Sequence, residues 1–381
     1  MVTKEWPPQV YGGAGVHVVQ LAEALQKISE IELSVHCFGG ERTDANGYST
    51  PIDFLGANPA VQALATNLVM AAELGEVHLV HSHTWYANMA GHMAGLLHGI
   101  PHVMSAHSLE PLRPWKSEQL GGGYRLSSWI ERTAVESASA IIAVSEGMRA
   151  DVLDAYPSVD PERVVTIRNG VDTDKFAPNR NPAVLGKYGI SGRYAIYVGR
   201  ITRQKGLAHL LRAWKDVPAE YGLVLAAGSP DEPRIGQEIA DLIAELQESR
   251  SNIWWIQEML AHDELTAVLT QSDLFLCPSI YEPLGIVNLE AMGCATAVLA
   301  SKVGGIPEVV ANKVTGELVE YSLDSAEFET AFARSISRLM AQPDLLASYG
   351  DAGRARARDE FGWDAVAEKT LALYKKVLKV R

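Results

Sequence analysis

Short apolar runs alternate with longer amphipathic stretches along the whole chain, the pattern of a parallel sheet whose strands are joined by helices. In the first half, residues 33–38, 77–81, 102–106, 140–145 and 164–168 read as strands. The second half repeats the scheme at 194–198, 223–227, 253–256, 273–277 and 296–300. Between them lie helical patterns such as residues 16–29, where Val16, Val19, Leu21, Leu25 and Ile28 share one face. Met1-Val2-Thr3 is very short for a first strand and residues 4–8 read as loop, so the sequence is expected to begin inside that strand. Residues 169–182, rich in turn formers and without periodicity, mark a boundary.

The pattern predicts two Rossmann-like, doubly wound α/β domains facing each other across a cleft, with ligands at the carboxyl ends of the strands. The first spans residues 1–172 and the second residues 173–361. The helical tail, residues 362–381, has no strand after it and is expected to pack back on the first domain.

At 381 residues, with 47% hydrophobic and 21% charged, the chain can bury two ordinary cores. A net charge of −13 argues against nucleic-acid binding, which needs a basic face, but leaves room for a few cations around an anionic small molecule. Three cysteines without metal or redox spacing point to a reducing, cytoplasmic compartment. No run approaches the length of a membrane span.

The most informative stretch is Glu282-Pro283-Leu284-Gly285, with Glu290 seven residues beyond the first glutamate's neighbour in a helical run, 286–292. N–H groups at a strand-to-helix turn lack intrahelical partners and can receive hydroxyl or phosphate oxygens. A carboxylate there accepts from hydroxyl pairs such as those of a hexose or ribose. Glu290, placed in the opening turn, could instead serve only the helix dipole. Arg200, just past a strand, and Lys205, before the next helix, can grip both phosphates of a departing nucleoside diphosphate; the bland alternative is a solvated basic loop. Gly12 and Gly13 open the helix at Val16, as a ligand-approaching loop or a tight turn. His107 follows a strand and can reach a sugar hydroxyl. His78, His81, His83, His92, His98 and His102 crowd the same window, so histidine is weak evidence there. His81 and His83 hint at a metal, but no third ligand has standard spacing and none is expected. Residues 109–125 read as a long loop carrying Arg113, Lys116 and Arg125, suited to an anionic or polyhydroxyl acceptor or simply solvated.

Glu282 to Glu290, Gly199-Arg200 with Lys205-Gly206, Asn169-Gly170-Val171-Asp172 and Gly12-Gly13 together resemble the retaining glycosyltransferases of the GT-B fold, in the branch containing bacterial glycogen synthases. The resemblance runs over essentially the full length. Residues 11–17, 81–85 and 106–115 are similar to actinobacterial members described as α-maltose-1-phosphate synthases. The resemblance implies glucose transfer from ADP-glucose to glucose-1-phosphate, supplying α-1,4-glucan (glycogen) synthesis. Alternatives are glycogen synthase itself, extending an α-glucan acceptor, or a UDP-sugar-dependent transferase, taking UDP-glucose or a related donor to a phosphorylated polyol. It further implies no cofactor or metal, and a possible homodimer is carried as an expectation.

Roles follow from the same resemblance. Arg200 and Lys205 neutralise the pyrophosphate, and the Gly12-Gly13 loop closes over it. Glu290 accepts from the ribose. Glu282, Pro283 and the N–H groups of Leu284, Gly285 and Ile286 hold the glucosyl hydroxyls and phosphate. His107 contacts the transferred glucose near its 6-hydroxyl, and Met259 lies beside the nucleobase. Two departures matter: Val10 and Thr84 stand where long-chain bacterial glycogen synthases carry Lys and Asp. Both point away from glucan elongation.

Overall fold

The computed structural model describes residues 1–10, 12–117, 121–228 and 230–379. Tyr11 of the glycine-rich motif, residues 118–120 of the basic loop and Val380 of the tail lie outside them. The chain divides into two compact units, Met1–Asn169 with Trp363–Arg381, and Gly170–Gly362.

In the first unit the strands are β1 (Val2–Thr3), β2 (His36–Phe38), β3 (Asn46–Tyr48), β4 (Val80–His83), β5 (His102–Ala106), β6 (Ala140–Ala143) and β7 (Val164–Thr166). They form a sheet in the order β3-β2-β1-β4-β5-β6-β7, with all pairings parallel. The short β3 has no apolar run, since Asn46-Gly47-Tyr48 is an edge strand held by its register to β2, and the pattern missed it. The strand expected at 77–81 lies instead at Val80–His83, because pairing to Val2 and to β5 sets its bounds rather than hydrophobicity. His81 and His83 therefore lie in the strand itself, two residues apart on one face. The helix Trp363–Lys379 packs on the helix Gly13–Gln26, burying Trp363, Val366 and Leu373 among Val18, Leu21 and Leu25.

The second unit contributes β8 (Tyr194–Val198), β9 (Gly222–Ala226), β10 (Ile253–Ile256), β11 (Leu274–Cys277), β12 (Val298–Lys302) and β13 (Gly316–Glu320), in the order β10-β9-β8-β11-β12-β13. Strands buried on both faces read as continuous apolar runs, which is why β8 and β11 were legible in sequence. The core packs Trp214, Phe328 and Phe332, all essentially inaccessible, against β8, β9 and β11.

The strand orders decide where ligands go. In the second sheet the chain runs outward from β8 to β9 and β10, then returns to the other side of β8 with β11. The loops after β8 and β11 therefore diverge at a topological switch point, where open α/β sheets bind ligands. In the first sheet the same reversal occurs between β1 and β4. Among the described residues, no helix is long and apolar enough to cross a membrane.

Candidate active site

At the switch point of the second unit, Lys205 and Glu282 meet. Lys205 ends a short 3₁₀ turn, Arg203–Lys205, after β8, and Glu282 lies in the loop after β11. The ammonium donates to Glu282 Oε2 at 2.6 Å, and the two side chains are only 18% and 9% exposed. Burial is the largest influence and opposes the ammonium's charge, but the Glu282 carboxylate and the hydrogen bond to it, with Cys277, together hold Lys205 above its ordinary range. Ser279 Oγ donates to the same Glu282 oxygen at 3.2 Å.

Two backbone features lock the pair. Gly206 follows Lys205 in the left-handed region (φ 65°), and a Cβ there would lie 2.0 Å from the Pro278 carbonyl. Gly304 (φ 50°) lies against the Glu282 carbonyl, where a Cβ would come within 2.0 Å, and the next residue, Gly305, donates its N–H to that carbonyl at 3.0 Å. The loops after β8, β11 and β12 thus brace one another. Ser301 at the end of β12 adds a hydrogen bond to the Ser279 carbonyl.

The helix Ile286–Gly293 starts beside this pair, with Gly285 as its N-cap and no side-chain cap on its first N–H groups. Glu290 is the fifth residue of that helix, so it sits beyond the opening turn where it was expected, and a dipole role no longer explains it. The helix starts at Ile286, where the sequence pattern placed it, so Glu290 falls one position past the first turn. The residue is half-buried, and its carboxyl is pushed up to about 7 by burial, with Lys205 pulling the other way.

Arg200 is not a free cation: Nη1 lies 3.2 Å from Asp231 Oδ1 and 3.3 Å from Oδ2. Its own carbonyl accepts from the Tyr197 hydroxyl at 3.0 Å. Asp231, like Ser279 and Gly304, carried no motif. Only a charge opposite Arg200 across the sheet edge singles it out, and spacing along the chain cannot show that. Met259, in the loop after β10, is 82% exposed. Pro283 and Ile286 are half-buried, and Leu284 is buried.

In the first unit the histidines gather around the ends of β4 and β5. Register pairs His83 with Ser105, and His107 follows two residues later. His83 Nδ1 and His107 Nε2 are 3.1 Å apart. His17, on the helix after β1, packs edge-on to His107 with ring centroids 4.6 Å apart. His81 Nε2 meets Ser105 Oγ at 2.9 Å, and its Nδ1 meets the Tyr374 hydroxyl at 2.6 Å. Burial, then repulsion within the group, pushes His81, His83 and His107 well below 6.5. Burial lowers His17 to about 4, while Asn169 acts the other way. These imidazoles are neutral at physiological pH. The sequence singled out His107, but the convergence of His17 on it required the helix geometry.

The glycine loop behaves as a braced turn: the Gly12 N–H donates to Glu5 Oε2 at 2.9 Å, and Gly13 begins the helix. A Cβ at Gly15 would come 2.3 Å from the same oxygen, so the glycines admit Glu5. Arg113 Nη1 donates to Ser108 Oγ at 3.0 Å. Arg125, expected in a loop, lies in the helix Gly123–Ser137, because the glycine run ends at the helix start; Lys116, also expected in a loop, lies in a helical turn at residues 116–117.

Comparison with known proteins agrees with this architecture. Residues 11–175 match the model for Glycosyltransferase Family 4, and residues 187–356 that for Glycosyl transferases group 1. The chain is 50% identical to an α-maltose-1-phosphate synthase of Mycolicibacterium smegmatis over 99% of this chain and 98% of that one. It is 31% identical to a D-inositol 3-phosphate glycosyltransferase of Segniliparus rotundus, over 79% and 66% respectively. Among solved structures it superposes on sucrose-phosphate synthase from Thermosynechococcus elongatus with a TM-score of 0.81 at 23% identity, covering 100% and 99% of the two chains. Two parallel-sheet units, a cation–carboxylate pair at the switch point of the second, and full-length relatedness place the chain in the GT-B-fold glycosyltransferases: it belongs to the α-maltose-1-phosphate synthase family of hexosyltransferases.

Proposed function

We propose that the chain transfers glucose from ADP-glucose to glucose-1-phosphate with retention, forming α-maltose-1-phosphate for α-1,4-glucan synthesis. The observation that carries this reading is the buried Lys205–Glu282 pair beside the uncapped helix start at Gly285. In the reaction the bond from glucose C1 to the β-phosphate oxygen breaks and its electron pair leaves with ADP. The acceptor 4-hydroxyl oxygen bonds to C1, and its proton passes to the departing phosphate oxygen.

Each residue has a task. Lys205, kept cationic, and Arg200 meet the charge that grows on the diphosphate. Glu282 accepts from glucosyl hydroxyls and fixes Lys205. The N–H groups from Leu284 to Ile286 bind oxyanions. Glu290 accepts from the ribose, Met259 offers an apolar face to the base, and His107, neutral, hydrogen-bonds the glucosyl 6-hydroxyl. Gly12 and Gly13 cover the phosphates, and Arg113, Lys116 and Arg125 attract the acceptor phosphate. The free, buried thiols Cys37, Cys277 and Cys294 suit a reducing cytoplasm. Assembly as a homodimer is part of the proposal and is checked by sedimentation velocity.

The test is the initial rate of nucleoside diphosphate release from ADP-glucose or UDP-glucose with, in turn, glucose-1-phosphate, a maltooligosaccharide or an inositol phosphate. A rate highest with glucose-1-phosphate supports the reading. A preference for the oligosaccharide moves it to glycogen synthase, and a preference for the inositol phosphate, with UDP-glucose as donor, to a polyol phosphate transferase.

A further inference from the structure

We propose that His17, His83 and His107 form a binding site for a borderline divalent transition metal of the Zn²⁺ type, and that its occupancy reversibly inhibits transfer. Three separate elements supply the ligands: the helix after β1, the end of β4 and the residue beyond β5. One ring nitrogen from each lies within 4.8 Å of the others. Tetrahedral zinc with nitrogen ligands needs neighbouring nitrogens about 3.3 Å apart, given metal–nitrogen bonds of about 2.0–2.1 Å. His83 Nδ1 and His107 Nε2, at 3.1 Å, already stand at that separation. With His17 within 4.8 Å of both, closing to about 3.3 Å takes at most about 1.5 Å, a change within the reach of its ring rotation.

An independent observation points to the same ligand. His17 is 1% exposed, yet neither Nδ1 nor Nε2 has a hydrogen-bond partner within 3.5 Å among the described residues, although the Asn169 side chain still acts on the ring. Buried polar atoms are normally satisfied, and two ring nitrogens idle on one inaccessible imidazole are unusual. A metal takes up such a lone pair.

Access and support are both present. His17 and His83 are buried and His107 is half-buried, so a cation enters from the His107 side. His81 packs against His83 with ring centroids 4.2 Å apart and planes tilted by 37°, and is itself held by Ser105 and Tyr374, which limits rotation of the ligand ring. Three imidazoles leave a fourth position open to water or an anion. No helical or strand spacing in the sequence could reveal the trio, since its members are brought together only by the fold.

Binding itself does not depend on the transferase reading, whereas inhibition rests on His107 contacting the sugar. Chelator-stripped protein is titrated with CoCl₂ and followed by the visible bands of tetrahedral Co²⁺, then with ZnCl₂ in competition. One equivalent per chain is expected, with the bands abolished in His17→Gln and in His83→Asn and retained in the exposed-residue variant His98→Ala. Bands that persist in both His17→Gln and His83→Asn overturn the site. Far-ultraviolet circular dichroism and melting temperature verify folding; should one variant unfold, the other decides, and Zn²⁺ raising the melting temperature of the native protein but not of the folded variant supports the site. In activity assays Zn²⁺ is expected to slow turnover by at least tenfold, reversed by EDTA, with the residual activity of His17→Gln insensitive to it. Stoichiometric binding without inhibition leaves the metal site standing and overturns the role of His107.

Discussion

Replacing Lys205 by Met keeps the aliphatic stem and removes only the charge that faces Glu282. In the native protein the Glu282 carboxylate is 9% exposed and accepts from Lys205 at 2.6 Å and from Ser279 at 3.2 Å. Stripping one partner from a buried ion pair strands the other and costs about 3–5 kcal/mol. Ser279 still donates and Lys205 keeps 18% exposure, which places the expectation at the lower end, about 3 kcal/mol. For a unit spanning residues 170–362, about 2–4 °C is lost per kcal/mol, so differential scanning calorimetry should show its transition falling by about 6–12 °C. Adding Glu282→Gln removes the stranded charge and should restore about 1–2 kcal/mol. Turnover should fall roughly a hundred- to a thousandfold in Lys205→Met, the range for losing one preorganised donor to a developing anion, and the double variant should not regain it. A melting temperature unchanged within about 1 °C, or a double variant less stable than the single one, would refute the coupled pair.

Glu290, with its carboxyl at about 7, should make ADP-glucose KM rise as pH falls through about 7, because the protonated form accepts fewer hydroxyls; Glu290→Gln should flatten that profile in initial-rate measurements. Glu131, which accepts from the Glu110 N–H and the Tyr156 hydroxyl, is pushed from 4.5 to about 8 by burial and by Glu110. The folded state alone keeps that proton between the two values, so the first unit should lose stability as pH rises from about 4.5 to about 8 and level off above; thermal melts of Glu131→Gln should lack this slope. Gly304→Ala forces a side chain into the left-handed region against the Glu282 carbonyl, and calorimetry should show a loss of more than about 1–2 kcal/mol together with a slower turnover.

Those features whose cause is local were readable in the sequence. β8 and β11 show themselves because both faces are buried, so every residue is apolar, and the helix after Val16 shows itself through its spacing. Lys205 and Glu282 stood out because each lies just after such a strand. That they touch follows from the strand order, which places β8 beside β11 although 77 positions separate the two residues. β3 and the true bounds of β4 were hidden because register, not hydrophobicity, fixes them. Asp231, Ser279, Gly304 and His17 were hidden for a related reason: each matters only through a neighbour distant in sequence. The helix start at Ile286 was legible, yet Glu290 lies five residues into that helix, past the opening turn in which it had been placed.

The most direct test of the account is proton and phosphorus NMR of the product formed from ADP-glucose and glucose-1-phosphate. The account predicts one disaccharide with two α-anomeric protons, a 1→4 linkage, phosphate still attached to the reducing glucose, and ADP released in equal amount. A β-anomeric signal, or glucose appearing only in lengthened glucan with glucose-1-phosphate untouched, would contradict it.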